Sequence, residues 1–399
     1  MRLLKSALFI LLLTVIFFAS CKKEIQDESG IQPGLQNNLP MAKAGNLSKA
    51  QLEKLKQLRA SLPAGVEKRM KIKAAKLLKL HPEYRDLVRR ILKAAPPACD
   101  ANTKIVLWLN DQLSDWTEQI IFFAVVTGML DFPTYDALLF ENSSANQYFG
   151  VKGEFTHRVT KTFKDLKRFW NIESSNIVVV AMHGSILQDR DRVIRIDRIL
   201  FPDDTKDDAE FFADLIIQLL DVFPQYRNGD HPIFTFNAFA QPSFSFPPFG
   251  NIPNKIIMGD GILEGFAAIG YGDVAPQAIL AHEFGHHIQF QLNLFPGVSS
   301  PEANRKAELM ADAYSAYYLS HSRGGSMQWK RVKLFLQVFF NIGDCAIDDS
   351  GHHGTPTQRM AAAEWGYSVA NNAQKQGHIL TARQFTALFV AKLPDILAH

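Results

Sequence analysis

The segment His282-Glu283-Phe284-Gly285-His286 constrains this chain more than any other stretch. An α-helix brings residues four apart back to one face. If the segment is helical, its two imidazoles stand one above the other and can grip a single metal ion. Glu283 then projects to the side of that ion, where it can take a proton from a water. The flanks predict a helix: Pro276 suits a first turn, and Ile279, Leu280, Phe284 and Ile288 supply a core face. With 12 histidines in the chain, a pair on an ordinary helix face is the plain alternative, so the case rests on context.

A catalytic metal needs a third protein ligand and an open coordination position. Glu308 is the candidate, in Glu308-Leu-Met-Ala-Asp312, which again reads as helix. Glu308 and Asp312 share a face. Glu308 is expected to bind the metal, and Asp312 to accept a hydrogen bond from a ligating histidine and so fix its tautomer. Ala311, Ser315 and Ala316 are small enough to let this helix approach the first one closely. Two carboxylates on such a face are costly to bury unless a metal or a basic partner compensates them. Further on, His353 precedes Thr355-Pro-Thr-Gln358, a capping box with proline in the first turn. Beside a helix N-terminus its neutral form is favoured, and it is a candidate donor to a developing oxyanion. Its plainer role is to order the turn. Arg359 is a candidate partner for a buried acid. Asp344, Asp348 and Asp349 lack a calcium-loop pattern and read as a solvated acidic loop.

These motifs resemble those of a gluzincin-type zinc metallopeptidase. Gly272 to Gln289, Glu308 to Asp312 and His353-Gly-Thr-Pro-Thr-Gln-Arg359 are similar to the neutral zinc metallopeptidase family. Asn237-Ala-Phe-Ala240 is similar to the edge strand of the CAAX prenyl protease family. The resemblance spans roughly Asn237 to Tyr367, and roughly the first 230 residues carry no such resemblance. It implies a zincin-like fold and Zn2+ held by His282, His286 and Glu308. It also implies Glu283 as general base, Asp312 as partner of a ligating histidine, and a strand at Asn237, Ala238 and Phe239 that pairs with substrate backbone. The Pro- and Phe-rich stretch after Ala240 departs from both families. It reads as a packed aromatic loop, with the lining of a substrate cleft as the alternative.

The expected fold is α+β and mostly helical: a small mixed sheet, then the HExxH and ExxxD helices. Strands are expected at Ile105–Leu109, Asn176–Ala181, Val193–Ile196, His231–Ala240 and Lys255–Met258, from β-branched and aromatic runs. A helix is expected over Asp207–Phe223, a buried helix over Ile120–Leu130, and mostly helix after Gly261. An apolar fraction of 47% with 21% charged residues belongs to a globular chain.

The first 21 residues stand apart. Arg2 and Lys5 precede a 12-residue apolar run from Ala7 to Phe18, too short to span a bilayer, followed by Ala19-Ser20-Cys21. The ending resembles a bacterial lipobox, with Phe18 where leucine is usual. It implies a chain anchored to a bacterial membrane, outside the cytoplasm, through acylated Cys21. Cys99 and Cys345 remain as a disulfide or two buried thiols. Residues 22–45 read as a flexible tether, 46–98 as a basic helical region and 99–399 as the zincin-like domain. Ser48-Lys-Ala-Gln51 is a capping box, with more helix from Val66 to Lys93. Residues 41–98 carry 15 Lys/Arg against 4 Asp/Glu, whereas the whole chain nets only +3. That segment is a spacer, an inhibitory pro-segment or packed structure, and its charge reads as a solvated face. A nucleic-acid partner is not expected.

The expected activity is peptide-bond hydrolysis: zinc polarises the carbonyl and its water, and Glu283 relays the proton to the leaving amine. Two alternatives are a non-catalytic zinc-stabilised lipoprotein acting as scaffold or binding module, and a zinc hydrolase of a non-peptide amide in the cell envelope. Glu283 argues against the first, because a structural site has no use for a free base. The Asn237 strand favours an extended peptide over the second.

Overall fold

The computed structural model describes residues 47–80, 103–247, 249–295, 300–340, 354–376 and 378–399. Helices dominate it, around one small mixed sheet.

Five helices lead in: α1 (Lys49–Ser61), α2 (Val66–Leu80), α3 (Lys104–Gln112), α4 (Glu118–Val126) and α5 (Phe132–Leu139). Then come α6 (Thr156–Phe169), β1 (Ile177–Met182), α7 (Arg190–Leu200), α8 (Lys206–Val222), β2 (Ala238–Gln241), β3 (Phe244–Ser245), β4 (Asn251–Ile252) and β5 (Asn254–Gly259). The rest is helical: α9 (Asp260–Ala268), α10 (Ala275–Leu292), α11 (Pro301–Ser320), α12 (Trp329–Phe339), α13 (Pro356–Gln376) and α14 (Ala382–Leu397).

The main sheet has the order β1-β5-β2, with β1 parallel and β2 antiparallel to β5. Side chains alternate across a strand, and here the alternation divides the molecule into two cores. Val179, Ala181, Ile256 and Met258 join the core that holds α10 and α11. Val180, Met182 and Ile257 join the core built from α4, α5, α7 and α8. The outer edge of β1 is closed, since Val179 N–H donates to Ser144 Oγ and Ala181 N–H to Gln147 Oε1. Among the described residues the outer edge of β2 pairs with no strand. Lys255, fully buried in β5, donates to the carbonyls of Ala137, Leu138 and Glu141 at 2.6–3.0 Å and so caps the C-terminal end of α5.

Three strand expectations are corrected. Ile105–Leu109 lies in α3, where Thr103 Oγ1 accepts from Val106 N–H and Ile105, Val106 and Leu109 are buried on one side. Val193–Ile196 lies in α7. Asp189 caps its start, and the buried set Val193, Ile196, Asp197 and Leu200 has helical spacing that four residues alone do not reveal. Of His231–Ala240 only the end is strand. Pro232, which has no N–H to give a ladder, opens a 3-10 turn through Thr235. The helix expected to reach Leu130 stops at Val126, and Gly128 follows with φ +81°. The Pro- and Phe-rich stretch forms the hairpin β3–β4, with Phe246 and Phe249 stacked at 5.4 Å.

The basic N-terminal helices are packed rather than solvated on one side. Leu55, Leu58, Val66, Met70 and Leu77 enter the second core. Lys73, 3% exposed, reaches Asp197 at 2.5 Å and Asp204 at 2.6 Å, and lies over the Phe212 ring at 3.6 Å. Lys54 pairs with Asp221 and Arg69 with Asp208. Three of the basic residues therefore face acids of α7, α8 and the turn between them. No helix among the described residues is long and apolar enough to cross a membrane. Cys21, Cys99, Cys345 and the acidic residues Asp344, Asp348 and Asp349 lie outside the described residues.

Candidate metal centre

The site is built where α10 crosses α11. Gly285 stands at the crossing: a Cβ there would lie 3.2 Å from Ala311 Cα and 3.4 Å from Tyr314 Cβ. Ser315 Oγ donates to Ala278 O at 3.1 Å across the same contact. Small side chains thus bring the two backbones together, and that approach carries Glu308 to the histidines.

His282 and His286, one turn apart, place their Nε2 atoms 3.2 Å from each other. Glu308 Oε2 lies 3.2 Å from His282 Nε2, and its Oε1 lies 3.5 Å from His286 Nε2. These three side chains form the one group among the described residues in which three metal-ligating residues converge, and it could hold a metal ion.

The imidazoles are oriented for that role. His282 Nδ1 lies 3.0 Å from Asp312 Oδ1, a carboxylate that can only accept, so this nitrogen donates and Nε2, directed inward, is the ligand atom once its own proton is released. His286 Nδ1 lies 3.0 Å from Gln289 Oε1. The amide is held in that sense because Gln289 Nε2 donates to Ala307 O at 2.6 Å. His286 Nε2 therefore also turns its lone pair inward. Two imidazole lone pairs and one carboxylate suit a divalent ion with nitrogen and oxygen ligands.

Arg359, from α13, ties the centre together. Its Nε donates to Asp312 Oδ2 at 2.8 Å and its terminal NH2 to Asp312 Oδ1 at 2.9 Å, with that NH2 3.7 Å from Glu308 Oε2. The helix that delivers it sits close to α11, since a Cβ on Gly366 would fall 2.4 Å from Ala313 O. The cation compensates the two buried acids without displacing Glu308 from the histidines.

Protonation follows this frame. Burial opposes charge on His282, but the hydrogen bonds it donates to Asp312 and Glu308 and their negative charges outweigh it and raise its pKa to about 10. Burial lowers His286 to about 4, against the opposing charge of Glu308. The proton that His282 holds in the metal-free protein sits where the ion would be.

Glu283 follows His282 on the same helix, 7% exposed, and is not one of the three converging residues. His287 turns away: its Nε2 lies 2.8 Å from Lys255 O and joins α10 to β5, and burial lowers its pKa to about 4. Asn237 precedes β2, its carbonyl accepting from Gly259 N–H at 3.0 Å. Antiparallel pairing alternates, so Ala238 and Ala240 turn their backbone groups to the free edge. The Asn237 side-chain oxygen accepts from Ala238 N–H at 2.9 Å, and Phe239 packs on the second core. The strand lies against α10. His353 lies outside the described residues, whereas the capping box that follows it is formed between Thr355 and Gln358.

Two contributors escaped the sequence reading. Gln289, three residues after His286, shares its face, and that spacing was the available signal. Gly366 had none, because its role depends on α11 being its neighbour. Comparison of the chain with family models, with curated proteins and with solved structures finds no match.

Proposed function

We propose that this protein is a zinc metallopeptidase of the gluzincin type with a zincin-like fold, anchored to a bacterial membrane outside the cytoplasm through acylated Cys21. The supporting observation is the convergence of His282 Nε2, His286 Nε2 and Glu308, with Glu283 on the same helix as the histidines. In this reading those three side chains hold Zn2+, and Asp312, Arg359 and Gln289 fix their orientation. A bound zinc ion supplies Lewis acidity to the scissile carbonyl and to the attacking water. Glu283 accepts the proton of that water and delivers it to the leaving amine. The free edge of β2 holds the substrate extended, pairing with the outward groups of Ala238 and Ala240 while Asn237 releases the Ala238 N–H. His353 is retained as a candidate donor to the oxyanion.

The test compares purified, zinc-loaded wild type with Glu283→Gln on a mixed peptide library and on cell-wall fragments, each with and without chelator. We expect wild type alone to cleave peptides, in a chelator-sensitive manner, with equal zinc content in both proteins. Equal cleavage by the two proteins sinks the mechanism. Zinc content of one per chain without cleavage of anything leaves a structural metal protein, and cleavage of cell-wall fragments alone redirects the substrate class.

A further inference from the structure

A second group of titratable side chains lies at the C-terminal ends of the parallel strands β1 and β5. His183 follows β1 directly and Asp260 follows β5 directly. His183 Nδ1 lies 2.6 Å from Asp260 Oδ2, and Asp260 Oδ1 accepts from Gly150 N–H at 3.0 Å. Asp260 is 4% exposed, so it is a rigid acceptor that makes Nδ1 the protonated nitrogen. Nε2 is left with its lone pair outward, and among the described residues it has no hydrogen-bond partner. The Tyr148 ring stacks on the imidazole, centroids 4.0 Å apart and planes 19° from parallel, and is itself 43% exposed.

Asp230 enters from the turn after α8. Its backbone nitrogen lies 3.7 Å from where a Cβ on Gly184 would stand, next to His183. Its carboxylate is half-buried and makes no ion pair or hydrogen bond among the described residues. Burial, with the charge of Asp260, holds it above the ordinary carboxylate range. Glu264, one turn beyond Asp260 on α9, adds further negative charge. Two cations lie near and both are engaged: Arg227 by Glu264 at 3.7 Å and Gln112 Oε1 at 2.6 Å, and Arg192 by Asp136 at 2.7 Å and Glu141 at 3.1 Å.

Three features select a ligand class. Carboxylates repel an anion. Among the described residues no third ligand converges with His183 and Asp260 as a metal would require. An outward imidazole lone pair, an unpaired carboxylate and an exposed aromatic face together suit a group with several N–H donors, a positive charge and an apolar stem. We infer that His183, Asp230 and Tyr148 form a binding site for an alkylammonium group, oriented by buried Asp260 and separate from the metal centre. The ammonium donates to His183 Nε2 and to the Asp230 carboxylate while its methylene stem lies along the tyrosine ring. The same chemistry comes from a lysine side chain or from a free polyamine. The inference does not depend on hydrolysis.

The test is a titration of the full-length protein labelled with 13C at histidine Cε1, the His183 signal being assigned by its loss in His183→Gln. Probes are Nα-acetyl-lysine-N-methylamide, spermidine and the norleucine analogue of the first. We expect a saturable shift of the His183 signal with at least one amine and none with the norleucine compound. The tighter of the two amines names the source. Asp230→Asn should weaken binding by about tenfold or more, Tyr148→Leu should weaken it too, and Asp221→Asn, an exposed acid on α8, should leave it unchanged. The site is disproved if no amine moves the signal, if norleucine moves it equally, or if a folded Asp230→Asn protein binds as wild type does.

Discussion

Replacing Arg359 with methionine removes the cation from a centre that buries two acids. Asp312 has a side-chain exposure of 1% and Arg359 of 8%, so solvent screens their pairing little. Deleting one member of a buried, hydrogen-bonded ion pair costs about 3–5 kcal/mol, because the remaining charge is stranded. His282 offsets part of this in the metal-free protein, since its protonated ring lies 3.0 Å from the same carboxylate. The loss should therefore fall near the lower end, about 3 kcal/mol. In equilibrium urea unfolding of the metal-free protein, with a slope of about 3 kcal/mol/M or more for a chain of this size, that corresponds to a midpoint lower by up to about 1 M. Adding Asp312→Leu removes the stranded charge, so the double variant should recover at least ~1.5 kcal/mol relative to the sum of the single losses. A single-variant loss under about 1 kcal/mol, the level of an exposed pair, would show that Arg359 does not carry the buried acids.

Gly285→Val sets two methyl groups against Ala311 and Tyr314. It should cost about 1–3 kcal/mol and weaken the binding of a divalent metal ion at least tenfold in a competition titration, and unchanged metal affinity would separate ligand spacing from the helix crossing. Lys255 has a folded pKa lowered to about 7 by burial, against 10.5 for the free group. Between those values the unfolded chain binds more protons, so this residue makes stability rise with pH, by at most about 1.4 kcal/mol per unit. Below pH 7 its cost is fully present. The stability difference between wild type and Lys255→Met should grow with pH across that window, and a pH-independent difference refutes the assignment. Lys73→Met strands Asp197 and Asp204. It should lower stability by about 3 kcal/mol and make α1 and α2 sensitive to limited proteolysis, whereas a resistant segment would mean that the buried pair does not hold it.

Local sequence determined what a single helix can encode. Residues 282 and 286 share a face because of the helical repeat alone, and the capping boxes at Ser48 and Thr355 follow from local hydrogen bonding. The runs Asn176–Ala181 and Lys255–Met258 read as strands because they are buried on both faces, which an unbroken apolar pattern announces. Where such runs are short, periodicity does not separate strand from helix. Ile105–Leu109 and Val193–Ile196 became helices because caps at Thr103 and Asp189 and a core on one side favoured that choice.

The tertiary structure decided what depends on distance between elements. Glu308 meets the histidines because Gly285, Ala311 and Ser315 let two backbones close, and Arg359 reaches Asp312 because Gly366 admits a third helix. His183 and Asp260 follow separate strands and meet only through the β1–β5 pairing. A residue's own neighbours fix its conformation and the face it presents. What stands opposite that face is set by the packing of the whole chain, and composition and spacing carry no measure of it.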